Sequence, residues 1–244
     1  MIVQKTARIF RSETRGSEES TDYRCLSTFN YGACVNEHRQ PFGPLTVLND
    51  ETLAPGKSKF YFLKGDTLVI LMPLVGVLEF EVSNGRGEGM LIPEEMQLLS
   101  MKEGMSYYVT NPYKKDLINY LHLQLVTGGV SGKRSFENLE NNRLNPILKS
   151  GPCSICFGVY DGRNEGSYRL KGSGNGIFAF VINGAFEVEN RLLESRDGLA
   201  LWGLEALELE ALSENAIILL LEVSLKEKKH ELQRSSRNAV NNNS

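Results

Sequence analysis

From Gly56 to Pro112 the chain alternates short apolar runs with turn residues. Thr67–Leu74 (TLVILMPL) is apolar enough to be covered on both faces. Val77–Val82 (VLEFEV) instead alternates, with Glu79 and Glu81 opposed to Leu78, Phe80 and Val82. These two runs predict strands meeting near Gly76. Ser83–Gly89 (SNGRGEG) supplies glycines for a hairpin, and Leu91–Pro112 continues as apolar stretches broken by Pro, Gly and Asn. Strands so short, with turns so frequent, predict a sandwich or a small barrel.

The same pattern returns after an interruption. Thr127–Asn142 (TGGVSGKRSFENLENN) replaces the alternation that ends in LHLQLV with glycines and polar residues. From Gly151 strands are predicted again over SICFGVYD, SYRLKG, GIFAFVING, AFEVEN, LALWGL, ALELEAL and AIILLLEV. GVLEFE at Gly76–Glu81 is echoed by GAFEVE at Gly184–Glu189, so an apolar strand ends at a glycine and a glutamate-bearing strand follows in both halves. The expected division is a first barrel over 1–126, a linker over 127–150, a second barrel over 151–225 and a polar tail over 226–244.

Several short motifs occur in a telling order: Arg15-Gly16, STFNYG at Ser27–Gly32, PFGPLTVLND at Pro41–Asp50 and LAPG at Leu53–Gly56. Gly76, the Gln97 and Ser100 region, and Asn111-Pro112 follow them. In order and spacing these residues resemble the pirin family over most of the chain. The resemblance implies an all-β bicupin, two jelly-roll (double-stranded β-helix) barrels in one chain, with iron or a similar metal in the first. It also implies kinship with quercetin 2,3-dioxygenase, which opens flavonols with a cupin metal and dioxygen.

In that family a His-any-His pair follows the LAPG glycine and a His-any-Glu pair precedes the Asn-Pro. Counting along this chain places Phe62 and Lys64 at the first pair, and Tyr107 and Val109 at the second. Neither Phe nor Val offers a lone pair, and a charged Lys64 repels a cation. Tyr107 alone makes no site. Carried by the repeat into the second barrel, the first pair falls on Leu170 and Gly172, which are not ligands either.

Composition narrows the function further. The net charge is −3 and no basic patch dominates, so nucleic acid is not an expected partner; Lys5, Arg8, Arg11 and Arg15 read as a solvated edge strand. No leader pattern and no run of about twenty apolar residues is present, so no membrane is expected and the expected location is cytoplasmic. The four cysteines suggest no disulfide framework, and Cys153 and Cys156, three apart on a strand, point to opposite faces. Of the three histidines, His38 lies in a loop and His230 in the tail. His122 shares a strand face with Tyr120 and Gln124, which makes His122 and Gln124 a second-choice pocket.

Paired carboxylates, phosphate-cradling glycines and a nucleophile elbow each lack their context. The expected function is therefore a metal-free bicupin, without a cofactor and not a competent metallo-dioxygenase. It would bind a small anionic or aromatic ligand at Phe62, Lys64, Tyr107 and Val109, or a protein partner or second copy in a regulatory role. The alternatives are a quercetin 2,3-dioxygenase-like oxidoreductase with a non-standard metal site, and metal-free catalysis by Lys64 as a base or imine former.

Overall fold

A computed structural model describes residues 6–225 except 86, 128 and 150; the predicted tail over 226–244 lies outside the described residues. The first strand, β1 (Thr6–Phe10), precedes ten strands of the first barrel, to which the twelfth of the chain is later added. They are β2 (Gly16–Glu19), β3 (Tyr23–Ser27), β4 (Leu45–Leu53), β5 (Ser58–Phe62), β6 (Thr67–Val75), β7 (Leu78–Val82), β8 (Gly87–Leu91), β9 (Glu95–Met101), β10 (Ser106–Thr110) and β11 (Ile118–Leu125). After β12 (Gly132–Ser135) come β13 (Arg143–Leu148), β14 (Cys153–Tyr160), β15 (Glu165–Arg169), β16 (Asn175–Asn183), β17 (Phe186–Val188), β18 (Arg191–Leu193), β19 (Gly198–Trp202), β20 (Ala206–Ala211) and β21 (Ala216–Ser224).

Each barrel pairs a large sheet with a small one. In the first, the order β12-β9-β6-β11-β4-β3-β2 faces β5-β10-β7-β8; in the second, β1-β19-β16-β21-β14-β13 faces β15-β20-β17-β18. The all-β bicupin expected from the sequence is thus the fold observed.

Three apolar cores follow from this layering. One fills the first barrel and one the second. The third lies between the two large sheets, where Leu48, Ile70 and Leu121 of the first meet Ile155, Phe178 and Leu219 of the second. The large sheets are therefore covered on both faces, which is why β6 reads as one apolar run. Leu68, Ile70 and Met72 turn to the shared core and Val69 and Leu71 to the barrel interior. Each such side chain contributes about 1.5–3 kcal/mol by leaving water. The small sheets keep one wet face, and β7 alternates accordingly, with Glu81 exposed and Leu78, Phe80 and Val82 buried.

The repeat read from the sequence marks the same corner twice. Gly76 (φ 77°) and Gly184 (φ 76°) both adopt the left-handed conformation between a large-sheet strand and a small-sheet strand. A Cβ on Gly76 would lie 2.9 Å from Ile118 Cγ2, and one on Gly184 would lie 2.4 Å from Ser213 Oγ.

The strand placements differ from the expected boundaries at two points. β1 leaves the first barrel and pairs antiparallel with β19 in the second, Thr6 opposite Trp202 and Phe10 opposite Gly198. Phe10 then packs against Phe29 and Phe178 in the shared core, at ring-centroid distances of 5.2 and 5.6 Å. The expected linker carries β12 on one large sheet and β13 on the other, so the crossing itself narrows to residues 136–142.

Candidate functional site

The interior of the first barrel is where the family places its metal, and four strands define it here. On β4, Asn49 and Glu51 point into the barrel while Asp50 turns toward the second barrel, where Arg196 meets it. On β11, Tyr120 and His122 point inward, Tyr120 opposite Glu51 and His122 opposite Asn49. β5 and β10 close the other side with Tyr61 opposite Tyr107.

Glu51 is the hub. One carboxylate oxygen accepts from the Tyr61 hydroxyl and from the Tyr120 hydroxyl at 2.8 Å; the other accepts from Asn49 Nδ2 and His122 Nδ1, both at 3.0 Å. His122 Nε2 lies 2.7 Å from the Tyr107 hydroxyl, and Gln124 Nε2 donates to that hydroxyl at 3.4 Å. Because Nδ1 faces a carboxylate it carries a hydrogen, so Nε2 accepts from Tyr107 when the ring is neutral. Tyr61 and Tyr107 stack with ring centroids 4.8 Å apart, and His122 meets Tyr61 edge-on at 4.6 Å. Glu51, Tyr107, Tyr120 and His122 are all fully buried.

The electrostatics follow from this closure. Burial alone would raise the Glu51 carboxyl, but the charge available on His122 and the bonds donated by His122, Tyr61 and Asn49 outweigh it and hold the group at about 2. Burial first, and the neighbouring Glu51 charge after it, pushes Tyr61 and Tyr120 well above the ordinary tyrosine range; Tyr107 is raised mainly by burial. These phenols stay protonated.

The residues singled out from the sequence separate into two groups. Tyr107, Val109 and His122 are in the interior, with Gln124 half-buried beside Tyr107. Phe62 and Lys64 are not: Phe62 is 56% exposed and Lys64 is exposed. The cause is strand parity. β5 sets Tyr61 opposite inward-facing Tyr107, so Phe60, Phe62 and Lys64 turn outward together while Tyr61 and Leu63 turn in. An exposed Lys64 also lacks the apolar pocket that an imine-forming lysine needs.

Glu51, Asn49 and Tyr61 were not singled out by the sequence. The signal for the first two is weak because LNDET resembles a turn. Their place becomes legible only when the strand carrying Tyr120 and His122 is laid beside them.

A divalent metal, as the family resemblance implies, does not fit these side chains. Tyr61, Leu63, Tyr107 and Val109 offer two protonated phenols and two aliphatic groups, and the carboxylate of Glu51 is already engaged by Tyr61, Tyr120, Asn49, His122 and, more weakly, the Cys25 thiol. Among the described residues no group of three or more His, Cys, Asp and Glu side chains is arranged to hold a metal ion. Cys153 and Cys156 lie in different cores, with thiols pushed up by burial to about 12 and about 11.

Comparison with known proteins places the fold. Residues 153–223 match the quercetinase C-terminal cupin domain. YhhW from Escherichia coli superposes with a TM-score of 0.76 at 16% identity, covering 89% of this chain and 97% of that one. The bacterial pirin YhhW from the same organism in complex with nickel(II) gives 0.75 at 15%, covering 90% and 99%. Quercetin 2,3-dioxygenase from Acinetobacter baumannii gives 0.70 at 14%, covering 96% and 95%. No curated protein sequence matches the chain. The chain is thus similar to pirin and to quercetin 2,3-dioxygenase through both halves, and its fold is that of a pirin-like bicupin.

Proposed function

We propose that this pirin-like bicupin is a metal-free binding module with a regulatory role, working through its surface and not through a barrel-centred metal. The observation that carries the reading is the filled first barrel, where Tyr61, Tyr107, Tyr120 and His122 close around Glu51. A substrate entering there would have to displace buried, hydrogen-bonded side chains, each costly to leave unpaired.

The outer surface supports the same reading. Phe60, Phe62, Met90 and Tyr108 are 44–56% exposed on the wet face of the small sheet, and Phe60 and Tyr108 sit with ring centroids 5.0 Å apart. Clustered exposed apolar side chains mark contact surfaces. The parity that removes Phe62 from the interior places it in this patch.

Elemental analysis tests the proposal after growth with added iron, manganese, nickel, copper and zinc. Less than about a tenth of an equivalent of any metal is expected. A full equivalent, with quercetin-dependent oxygen uptake abolished by a chelator, would instead establish the dioxygenase alternative.

A further inference from the structure

Where the two barrels meet at the surface, two arginines converge on one carboxylate and a third lies in the same cleft. Asp50 accepts from Arg196 Nε at 2.9 Å, from Arg15 Nη1 at 3.3 Å and from Asn119 Nδ2 at 2.6 Å. Arg196 also donates to the Ile182 carbonyl, and Arg15 Nε donates to the Ser12 carbonyl at 3.1 Å. These bonds fix two guanidinium groups, one from each barrel, at the base of a cleft of about 370 Å³.

Arg24 lines the same cleft from β3 and has no ion-pair partner among the described residues. An Arg-Asp-Arg clamp alone would account for holding the barrels together. It does not account for the third cation, which leaves the cleft with an excess of two positive charges in a chain whose net charge is −3. Arg15 registers the crowding: burial lowers its pKa first, Asp50 opposes that, and Arg196 and Arg24 lower it further.

The walls add a second property. Val75 and Leu117 line the cleft, and each leaves 58% of its surface exposed. Guanidinium forks beside an uncovered aliphatic wall match an oxyanion head carried on an apolar body.

We infer that this inter-barrel cleft binds a small organic acid, its oxyanion held by Arg24 with Arg15 and Arg196 and its aliphatic or aromatic body laid on Val75 and Leu117. This names a ligand class for the binding role proposed above and rests on that reading. The ligand would touch both barrels at once, since Arg196 belongs to the second and the other two arginines to the first.

Isothermal titration of the whole chain with benzoate and with inorganic phosphate tests the inference. Benzoate is expected to bind, and phosphate more weakly because it cannot cover the apolar wall. Arg24→Ala, at an exposed position, should weaken benzoate roughly tenfold, the scale of one charge-assisted hydrogen bond. Leu117→Glu, also at an exposed position, should abolish binding by bringing a carboxylate to the cleft. Asp50→Asn should tighten it by freeing two guanidiniums.

Absence of benzoate binding at millimolar concentration, or binding unchanged in both Arg24→Ala and Leu117→Glu, would overturn the cleft as a site. Phosphate binding as tightly as benzoate would overturn the organic body. None of these outcomes touches the metal content, so the cleft and the metal-free reading fail separately.

Discussion

The interiors of the two barrels occupy equivalent positions with opposite chemistry. Registering β11 on β6 and β21 on β16 makes Tyr120 equivalent to Ile218, His122 to Leu220 and Gln124 to Glu222. Across the neighbouring strand, Asn49 corresponds to Cys156 and Glu51 to Gly158. Tyr61 and Tyr107 correspond to Tyr168 and Leu207. At these positions the first barrel thus carries a carboxylate, an imidazole and three phenols where the second carries mostly hydrocarbon.

Both interiors are closed by buried side chains, and they reach that state differently. In the second barrel the space is taken by Tyr160: a Cβ on Gly158 would lie 2.6 Å from its Cε2, and one on Gly166 would lie 2.4 Å from its hydroxyl. Glu222, pushed out to the barrel's end, accepts from Tyr168 at 2.7 Å, from Asn175 at 2.6 Å and from the Lys171 amide at 2.8 Å. A polar interior is therefore no requirement of the fold. The first barrel is more costly to build because each buried polar group must find its partner.

That difference is most exposed by taking away one half of the buried pair. His122→Leu copies the second barrel but strands the Glu51 carboxylate, and about 3–5 kcal/mol of stability should be lost in urea unfolding. Glu51→Leu combined with His122→Leu should cost less than the single His122→Leu change, because no unpaired charge remains. A double variant as unstable as the sum of the singles would mean that the two side chains do not act as a unit.

Acid should separate the barrels next. The Glu51 carboxyl is held at about 2 in the fold against an ordinary value of 4.5, so the protein binds fewer protons here folded than unfolded. Its contribution is fully present above about 4.5 and is lost as pH falls toward 2, on the order of 3 kcal/mol in all. Glu51→Gln should flatten the stability profile across that window. An unchanged slope would refute the linkage.

The smallest effect belongs to the second barrel. Gly158→Ala forces a methyl group against Tyr160, Leu144 and Ile218 and should cost about 1–3 kcal/mol by overpacking. If the thermal midpoint does not move, the Tyr160 ring is freer than its packing indicates.

These outcomes also measure what the chain states openly. Strand identity and the doubled glycine corner follow from period-two alternation and internal echo, as does the shared face of His122, Tyr120 and Gln124; the inward side of Tyr107 and Val109 follows from the family resemblance. The orientation of β5 does not: Phe60, Tyr61 and Phe62 are all aromatic, so either parity gives a credible interior, and only pairing with β10 decides. Glu51 and Asn49 were hidden for a related reason. A polar triplet inside a strand reads as a turn until the residues that neutralise it, distant in sequence, are brought alongside.

The exchange of β1 has a consequence for modularity. The stretch that matches the quercetinase C-terminal cupin domain, residues 153–223, excludes the strand that hydrogen-bonds along β19. Excised alone, it would present an open sheet edge and the bare ring of Phe178, both invitations to aggregate. Duplicated though their architecture is, the halves are bound to a shared fate: cutting them apart would bare both sides of the apolar core between the large sheets and strip β19 of its neighbour.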